Sequence, residues 1–174
     1  MEVWAFCTKK QDSLDVEVYI DSDWVGSIDD RRSTTGYCAF LARNLVTWMS
    51  KKQNVVAQSS IEAKFRALAK DLNELLWIKL ILKYLKIGPT GTARLYCDNK
   101  SAISLAHNPL HNDRTKHIEI DRHFIKEKVE TGEVCIPYVP TKRKLANVFT
   151  KGLDTKTYSA LIDMLRIIDI YSPT

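Results

Sequence analysis

The sequence predicts an α/β fold, with one five-stranded mixed sheet carrying helices on both faces. Three observations predict it. Three β-patterned runs, at 16–20, 34–41 and 45–50, come first, in the manner of an antiparallel meander. A long stretch at 59–87 then changes the apolar period from two to between three and four. Beyond it, short strands at 93–97 and 134–139 are separated by helical segments, and such β-α-β crossovers add parallel strands to the sheet.

In chain order, Val16, Val18 and Ile20 alternate with Glu17 and Tyr19, the mark of a half-buried strand. Asp21-Ser22-Asp23 and the Gly26–Arg32 stretch form a polar turn region. Runs 34–41 and 45–50 are rich in β-branched and aromatic residues, with Ala42-Arg43-Asn44 as the hairpin turn between them. Phe65, Leu68, Ala69, Leu72, Leu75 and Leu76 mark one helix face. Ser59 with Glu62 is a capping-box start, and Gly88-Pro89 is a stop. Strand 93–97 ends beside Asp98. A helix opens at Asn99 and fades near His107, and a charged helix spans 116–131, closed by Gly132. Strand 134–139 is ended by Pro140, and segments 145–149 and 156–168 read as C-terminal helices.

The chain has 174 residues and a mass of 20.0 kDa, which suits one domain with a short appendage. Apolar residues at 45% and charged residues at 27% exclude a wholly disordered chain. The net charge of +5 and pI near 9.0 lean toward a polyanionic partner, although a charge of this size also serves solubility alone. Cys7, Cys38, Cys97 and Cys135 form no Cys-x-x-Cys pair, which argues against a zinc knuckle or a disulfide framework; reduced, buried thiols are expected. The first ten residues lack a basic head followed by an apolar stretch, so no signal peptide and no secretion are expected, and the Asn99-Lys100-Ser101 sequon then carries no meaning. Lys79 and Lys83 interrupt the most apolar segment, 75–85, so no membrane partner is expected.

Three acids stand where chemistry gathers in such sheets. Asp21 and Asp98 end the first and fourth strands, and Glu62 lies in the first turn of the long helix. If the first and fourth strands are parallel neighbours, the two aspartates meet and Glu62 can reach them. Three converging carboxylates repel unless a hard cation such as Mg²⁺ joins them. Each also has a plain structural role: Glu62 as half of a capping box, Asp98 as a helix cap, Asp21 and Asp23 as turn residues.

Ordered motifs decide between these. Tyr19-Ile20-Asp21-Ser22-Asp23-Trp24-Val25-Gly26 and Asp30-Arg31-Arg32-Ser33-Thr34-Thr35-Gly36-Tyr37 resemble the opening of the RNase H domain of copia-type LTR retrotransposon Pol polyproteins. Trp48-Met49-Ser50-Lys51-Lys52-Gln53, Ser59-Ser60-Ile61-Glu62-Ala63 and Leu95-Tyr96-Cys97-Asp98-Asn99-Lys100-Ser101-Ala102 continue the likeness. Arg114-Thr115-Lys116-His117-Ile118, His123-Phe124-Ile125-Lys126-Glu127-Lys128-Val129 and Val139-Pro140-Thr141 follow in order, so the resemblance runs from about Val3 to Leu165.

The resemblance implies an RNase H-like fold (type 1) over residues 15–152. Residues 1–14 would be the end of an upstream reverse-transcriptase connection and 153–174 a C-terminal helical extension. It implies hydrolysis of the RNA strand of RNA–DNA hybrids, a covalent or non-covalent reverse-transcriptase partner, and a cytoplasmic retroelement particle or the nucleus as location. Four positions correspond to the family's catalytic acids: Asp21, Glu62, Asp98 and Asn147. The first three would hold two Mg²⁺ ions, with Mn²⁺ as a substitute. Asp21 would bridge both, with Glu62 and Asp98 on the leaving-group ion and the fourth position on the ion delivering water. Asn147 stands where the family carries Asp; the resemblance then implies a weakly held second metal and a slower reaction, or a decayed copy in which Asn147 only caps a helix. A second departure is Lys64, where the family commonly has an acid; beside the metals it could contact phosphate or oppose metal binding, but it is expected to point to solvent.

Candidate phosphate contacts are Lys51, Lys52, Arg114, Lys116, Lys142, Arg143 and Lys144. Ser22, Asn99 and Ser101 are candidates for sensing the ribose 2′-hydroxyl. His117 and His123, six residues apart, do not share a helix face and are expected to be structural; Trp24, Trp48 and Trp77 are expected to pack in the core or on the sheet surface. Three functions remain open: a hybrid-cleaving endonuclease, an inactive nucleic-acid-binding remnant, and a module that only supports an attached polymerase.

Overall fold

The computed structural model describes residues 4–6, 14–24, 31–87, 91–107 and 116–169. Strand β1 (Trp4–Phe6) is followed by β2 (Val16–Ser22), β3 (Thr34–Leu41) and β4 (Asn44–Lys52). Helix α1 (Ser60–Tyr84) leads to β5 (Ala93–Tyr96), α2 (Lys100–His107), α3 (Lys116–Glu130) and β6 (Val134–Cys135). Two short 3₁₀ segments, Thr141–Arg143 and Leu145–Phe149, precede α4 (Thr155–Leu165) and β7 (Ile167–Asp169).

The sheet order is β4-β3-β2-β5-β6, with β2, β3 and β4 antiparallel and β2, β5 and β6 parallel. This is the expected meander extended by parallel strands. The hairpin turn is tighter than expected: Ala42 and Arg43 both have positive φ, 49° and 63°, the two-residue geometry that matches strand twist, and Asn44 already belongs to β4. The expected strand 134–139 is a two-residue ladder plus a bridge between Cys97 and Tyr138. Pro137 interrupts it, because it has no N–H to give.

Alternation along β2 and β3 feeds two cores. Val16, Val18, Ile20, Tyr37 and Ala39 face α1, where Phe65, Leu68, Leu72 and Leu75 are fully buried. Cys38 and Phe40 face the other side, against Leu145, Ala146, Leu161 and Leu165. Each large apolar side chain so buried contributes about 1.5–3 kcal/mol. Helices thus cover both faces. Ser59 caps α1 by accepting from the Glu62 N–H at 3.1 Å. Lys86, with φ of 55°, turns the chain after the helix; Gly88-Pro89 lies outside the described residues. Gly132, with φ of 72°, follows α3 as expected.

Two elements differ from expectation at the C-terminus. Segment 145–149 is 3₁₀ rather than α. The last helix stops at Leu165, where Arg166 adopts a left-handed φ of 56°, and Ile167–Asp169 pairs antiparallel with Trp4–Phe6 as a separate ribbon. The β-branched Ile167 and Ile168 favour that outcome. Cys38 and Cys97 are buried, but Cys135 is exposed on the edge strand, and Cys7 lies outside the described residues. Trp48 lies on the sheet surface of β4. Trp24 and Trp77 are half-exposed, and the Trp24 indole N–H donates to the Ala57 carbonyl at 3.2 Å. No described helix is long and apolar enough to cross a membrane.

Asp71 of α1 is fully buried, and neither carboxylate oxygen has a hydrogen-bond partner among the described residues. Burial raises its pKa well above the ordinary 3.8; the Lys70 charge opposes this and Glu74 adds to it. A raised carboxyl pKa makes the folded state bind the proton more tightly, so stability falls as pH rises above 3.8 until the folded pKa is passed. Asp71→Asn should therefore be more stable at pH 7, by about 1–3 kcal/mol, and should flatten the decline between pH 4 and pH 7. Denaturant titrations at pH 4 and pH 7 check this; the same pH slope in both proteins would contradict it.

Candidate active site

Asp21 is the penultimate residue of β2, and Asp98 follows β5 by two residues. The parallel register pairs Tyr19 with Tyr96, so two residues further on Asp21 and Asp98 come side by side. What lies between them is a lysine. Lys144 Nζ is 2.5 Å from Asp21 Oδ1 and 2.6 Å from Asp98 Oδ1, and the residue is only 1% exposed. Lys64 Nζ lies 2.5 Å from Asp98 Oδ1 and 3.7 Å from Asp21 Oδ1. Lys151 Nζ lies 3.5 Å from Asp21 Oδ2. The Thr150 hydroxyl donates to Asp21 Oδ2, and the Thr141 hydroxyl donates to Asp98 Oδ2 at 3.1 Å.

These contacts set the ionisation. Burial works against the Asp21 carboxylate, but Lys144, Thr150 and Lys151 outweigh it and hold the pKa below the ordinary value. Asp98 likewise overcomes burial through Lys144 and Lys64, which bring it down to about 2. Burial and the neighbouring Lys64 charge lower the Lys144 pKa, although both aspartates oppose this.

Glu62 is engaged elsewhere. Its carboxylate accepts from the Gln58 N–H at 2.8 Å and pairs with Arg66 at 2.9 Å. Among the described residues, no group of three His, Cys, Asp or Glu side chains is assembled to hold a metal. Asn147 is buried; its Nδ2 donates to the Thr141 carbonyl at 2.8 Å and its Oδ1 accepts from Lys151 at 3.0 Å. Gln53 ties the start of α1 to the strand ends, donating to the Ala63 carbonyl at 2.8 Å and to Thr35 Oγ1 at 3.0 Å.

Two expectations are corrected here. Lys144 is not a surface phosphate contact: the turn at 141–143 directs it into the aspartate pair. Lys64 does not point to solvent: the first turns of α1 lie over Asp98, whose charge draws it in. Of the remaining cations, Lys51, Lys52 and Arg143 are exposed. Arg114 lies outside the described residues, as do the side chains of Lys116, Lys142 and His117. Ser22 is buried and donates to the Asp23 carbonyl; Asn99 Oδ1 caps α2 by accepting from the Ala102 N–H at 2.9 Å; Ser101 and His123 are exposed. The sequence reading missed Lys151, Thr150 and Thr141 as partners of the acids. The spacing of 144, 147 and 151 was the available signal, because positions three and four apart in a helical turn share a face.

The donor set does not fit two divalent cations as it stands. Two carboxylates face three ammonium groups, those of Lys64, Lys144 and Lys151. At an effective dielectric constant near 20, a divalent ion about 4 Å from one such ammonium is repelled by roughly 8 kcal/mol. Asn147 adds no compensating charge.

No protein-family model matches the chain. It is 40% identical over 150 residues to the retrovirus-related Pol polyprotein from transposon RE1 of Arabidopsis thaliana, covering 86% of this chain. It is 37% identical over 162 residues to that from transposon RE2 of the same plant, covering 93% of this chain. The chain spans only 10% and 11% of the length of these relatives. Among solved structures, the N-terminal RNase H domain of Rv2228c from Mycobacterium tuberculosis superposes with a TM-score of 0.56 at 11% identity, over 87% of this chain and 98% of that one. LC11-RNase H1, solved in complex with an RNA/DNA hybrid, gives 0.56 at 10% identity, over 78% of this chain and 94% of that one.

Access of the 3₁₀ segment to Asp21 depends on Gly36, which β3 places opposite Asp21. A Cβ there would meet Phe149 Cβ at 2.7 Å and Thr150 Cγ2 at 2.8 Å. Gly36→Ala should push the 149–150 backbone off the sheet, withdraw the Thr150 hydroxyl from Asp21, and cost about 1–3 kcal/mol. Denaturant unfolding measures it, and an unchanged midpoint would show that the contact yields.

Proposed function

Because the chain belongs to the copia-type retrotransposon Pol polyprotein family and carries an RNase H-like fold, we propose that it is an RNase H domain that binds RNA–DNA hybrids with the RNA strand presented to Asp21 and Asp98. The observation that carries this reading is the meeting of those two carboxylates at the ends of parallel neighbouring strands. Strand-end carboxylates beside a topological switch are where such sheets place their chemistry.

The surroundings support a polyanionic ligand. Ser22, Thr35 and Lys51 are in register across β2, β3 and β4, so Lys51 lies two strand spacings, roughly 10 Å, from the backbone next to Asp21. A groove of about 440 Å³ adjoins this edge, lined by Lys51, Lys52, Arg66, Lys70 and Asn73, with Asp121 as its acid. Such cations track phosphates without reading bases. The proposed partner within a polyprotein is its reverse-transcriptase segment, covalent or docked, and the proposed location is the retroelement particle.

Hydrolysis of the RNA strand is the proposed reaction, at a rate lowered by Asn147 and by the lysines in the centre. The divalent ions implied by the resemblance do not fit the centre in this arrangement. A second reading, binding without cutting, is favoured by Lys144 and Lys64 in contact with both aspartates.

With a labelled RNA–DNA hybrid, the chain should bind with a log affinity that falls linearly with log salt, by about 0.9 for each phosphate neutralised. Cleavage in Mg²⁺ should be slow or absent, and Asn147→Asp should raise it. No binding, or binding indifferent to salt, would overturn the reading. Fast cleavage at low Mg²⁺ would overturn the predicted defect.

A further inference from the structure

We propose that Lys144 is a built-in cation that closes a latent divalent-metal site on Asp21 and Asp98. This rests on the assignment of that pair as the hydrolytic centre. All four oxygens of the two carboxylates already have donors. Asp21 Oδ1 and Asp98 Oδ1 share the Lys144 ammonium at 2.5 Å and 2.6 Å. Lys64 adds a second contact to Asp98 Oδ1 at 2.5 Å. Asp21 Oδ2 takes the Thr150 hydroxyl and Asp98 Oδ2 takes the Thr141 hydroxyl. An incoming ion finds no unpartnered oxygen on either residue.

The ammonium is also fixed in place. Lys144 is among the largest fully buried side chains, in the company of Phe65 and Leu68. Its backbone is held between two 3₁₀ segments, with its N–H donating to the Thr141 carbonyl at 3.3 Å and its carbonyl accepting from the Asn147 N–H at 3.2 Å. The residues that follow, Leu145 and Ala146, are anchored in the second core. Lys144 therefore cannot swing to solvent to admit an ion without breaking two short buried ion pairs, which leaves the aspartates to Lys64 and Lys151 alone. Removing one partner of a buried ion pair is strongly destabilising. The centre is electrostatically complete without a divalent cation, and the fold needs none.

Removing the lysine charge should restore cation demand. Lys144→Gln removes the ammonium shared by the two carboxylates and leaves them with only Lys64 and Lys151, so their mutual repulsion rises toward the arrangement that binds a hard cation. The test is Mn²⁺ binding by the full chain, read by electron paramagnetic resonance of free Mn²⁺ and by melting temperature with and without Mn²⁺. The wild type should show no saturable binding below millimolar Mn²⁺ and no Mn²⁺-dependent melting shift. Lys144→Gln should bind one Mn²⁺ at least about tenfold more tightly and gain a melting shift that Asp21→Asn abolishes. Lys64→Gln, at the partly exposed edge of the pair, should give a smaller gain in the same direction, and keeps the test decisive if Lys144→Gln does not fold. Tight Mn²⁺ binding by the wild type, or unchanged affinity in both variants, would overturn the proposal. Hybrid binding measured alongside separates the two claims: its loss removes the functional assignment, while the Mn²⁺ result alone judges the lysine.

Discussion

Two carboxylates brought together at the ends of parallel strands cannot remain charged without a positive partner, and the rest of this structure is organised around how that demand is met. Asp21 is buried on β2, and Asp98 follows β5 at its side. Sheet pairing forces the meeting, since strand register leaves neither residue room to move away. Here the compensating charge comes from the chain itself, chiefly Lys144, with Lys64 and Lys151 around it. The contacts keep both acids ionised in spite of burial.

The C-terminal third of the chain reads as the delivery system for that charge. Cys38 and Phe40 on one face of the sheet hold Leu145 and Ala146, and α4 covers them with Leu161 and Leu165. This packing fixes the 3₁₀ segments against β3, where the bare α-carbon of Gly36 lets Phe149 and Thr150 approach. Lys144 then enters from one side of the aspartate pair and Thr150 from another. On the opposite face, α1 brings Lys64 over Asp98, while Glu62 stays with Arg66 and Gln58. A centre built this way trades affinity for divalent ions against stability without them, because the same oxygens cannot serve both.

Much of the fold was legible in the residue pattern. Period-two runs located β2, β3, β4 and β5, and the switch to helical spacing located α1, because burial on one face writes its period into the sequence. The aspartate pair was legible too, since both residues end predicted strands. Less could be read where long-range contacts decide. The β1–β7 ribbon joins segments from opposite ends of the chain and has only three residues on each side. Segment 145–149 has helical spacing but is 3₁₀, because its packing against β3 is a tertiary matter. Lys144 and Lys64 looked like surface charges, since lysine is so rarely buried that composition argues for solvent. Only the meeting of the two strands reveals that each has a carboxylate to answer. Glu62 carries both readings in the sequence, because a helix-start acid can serve Arg66 four residues on, as it does here, or a metal.

The central claim is that an ammonium, not a metal, sits between Asp21 and Asp98. Anomalous scattering from crystals grown in Mn²⁺ tests it most directly. The account predicts no anomalous peak between the two carboxylates, with Lys144 Nζ in contact with both. A Mn²⁺ peak within coordination distance of Asp21 and Asp98, with Lys144 displaced from them, would contradict it.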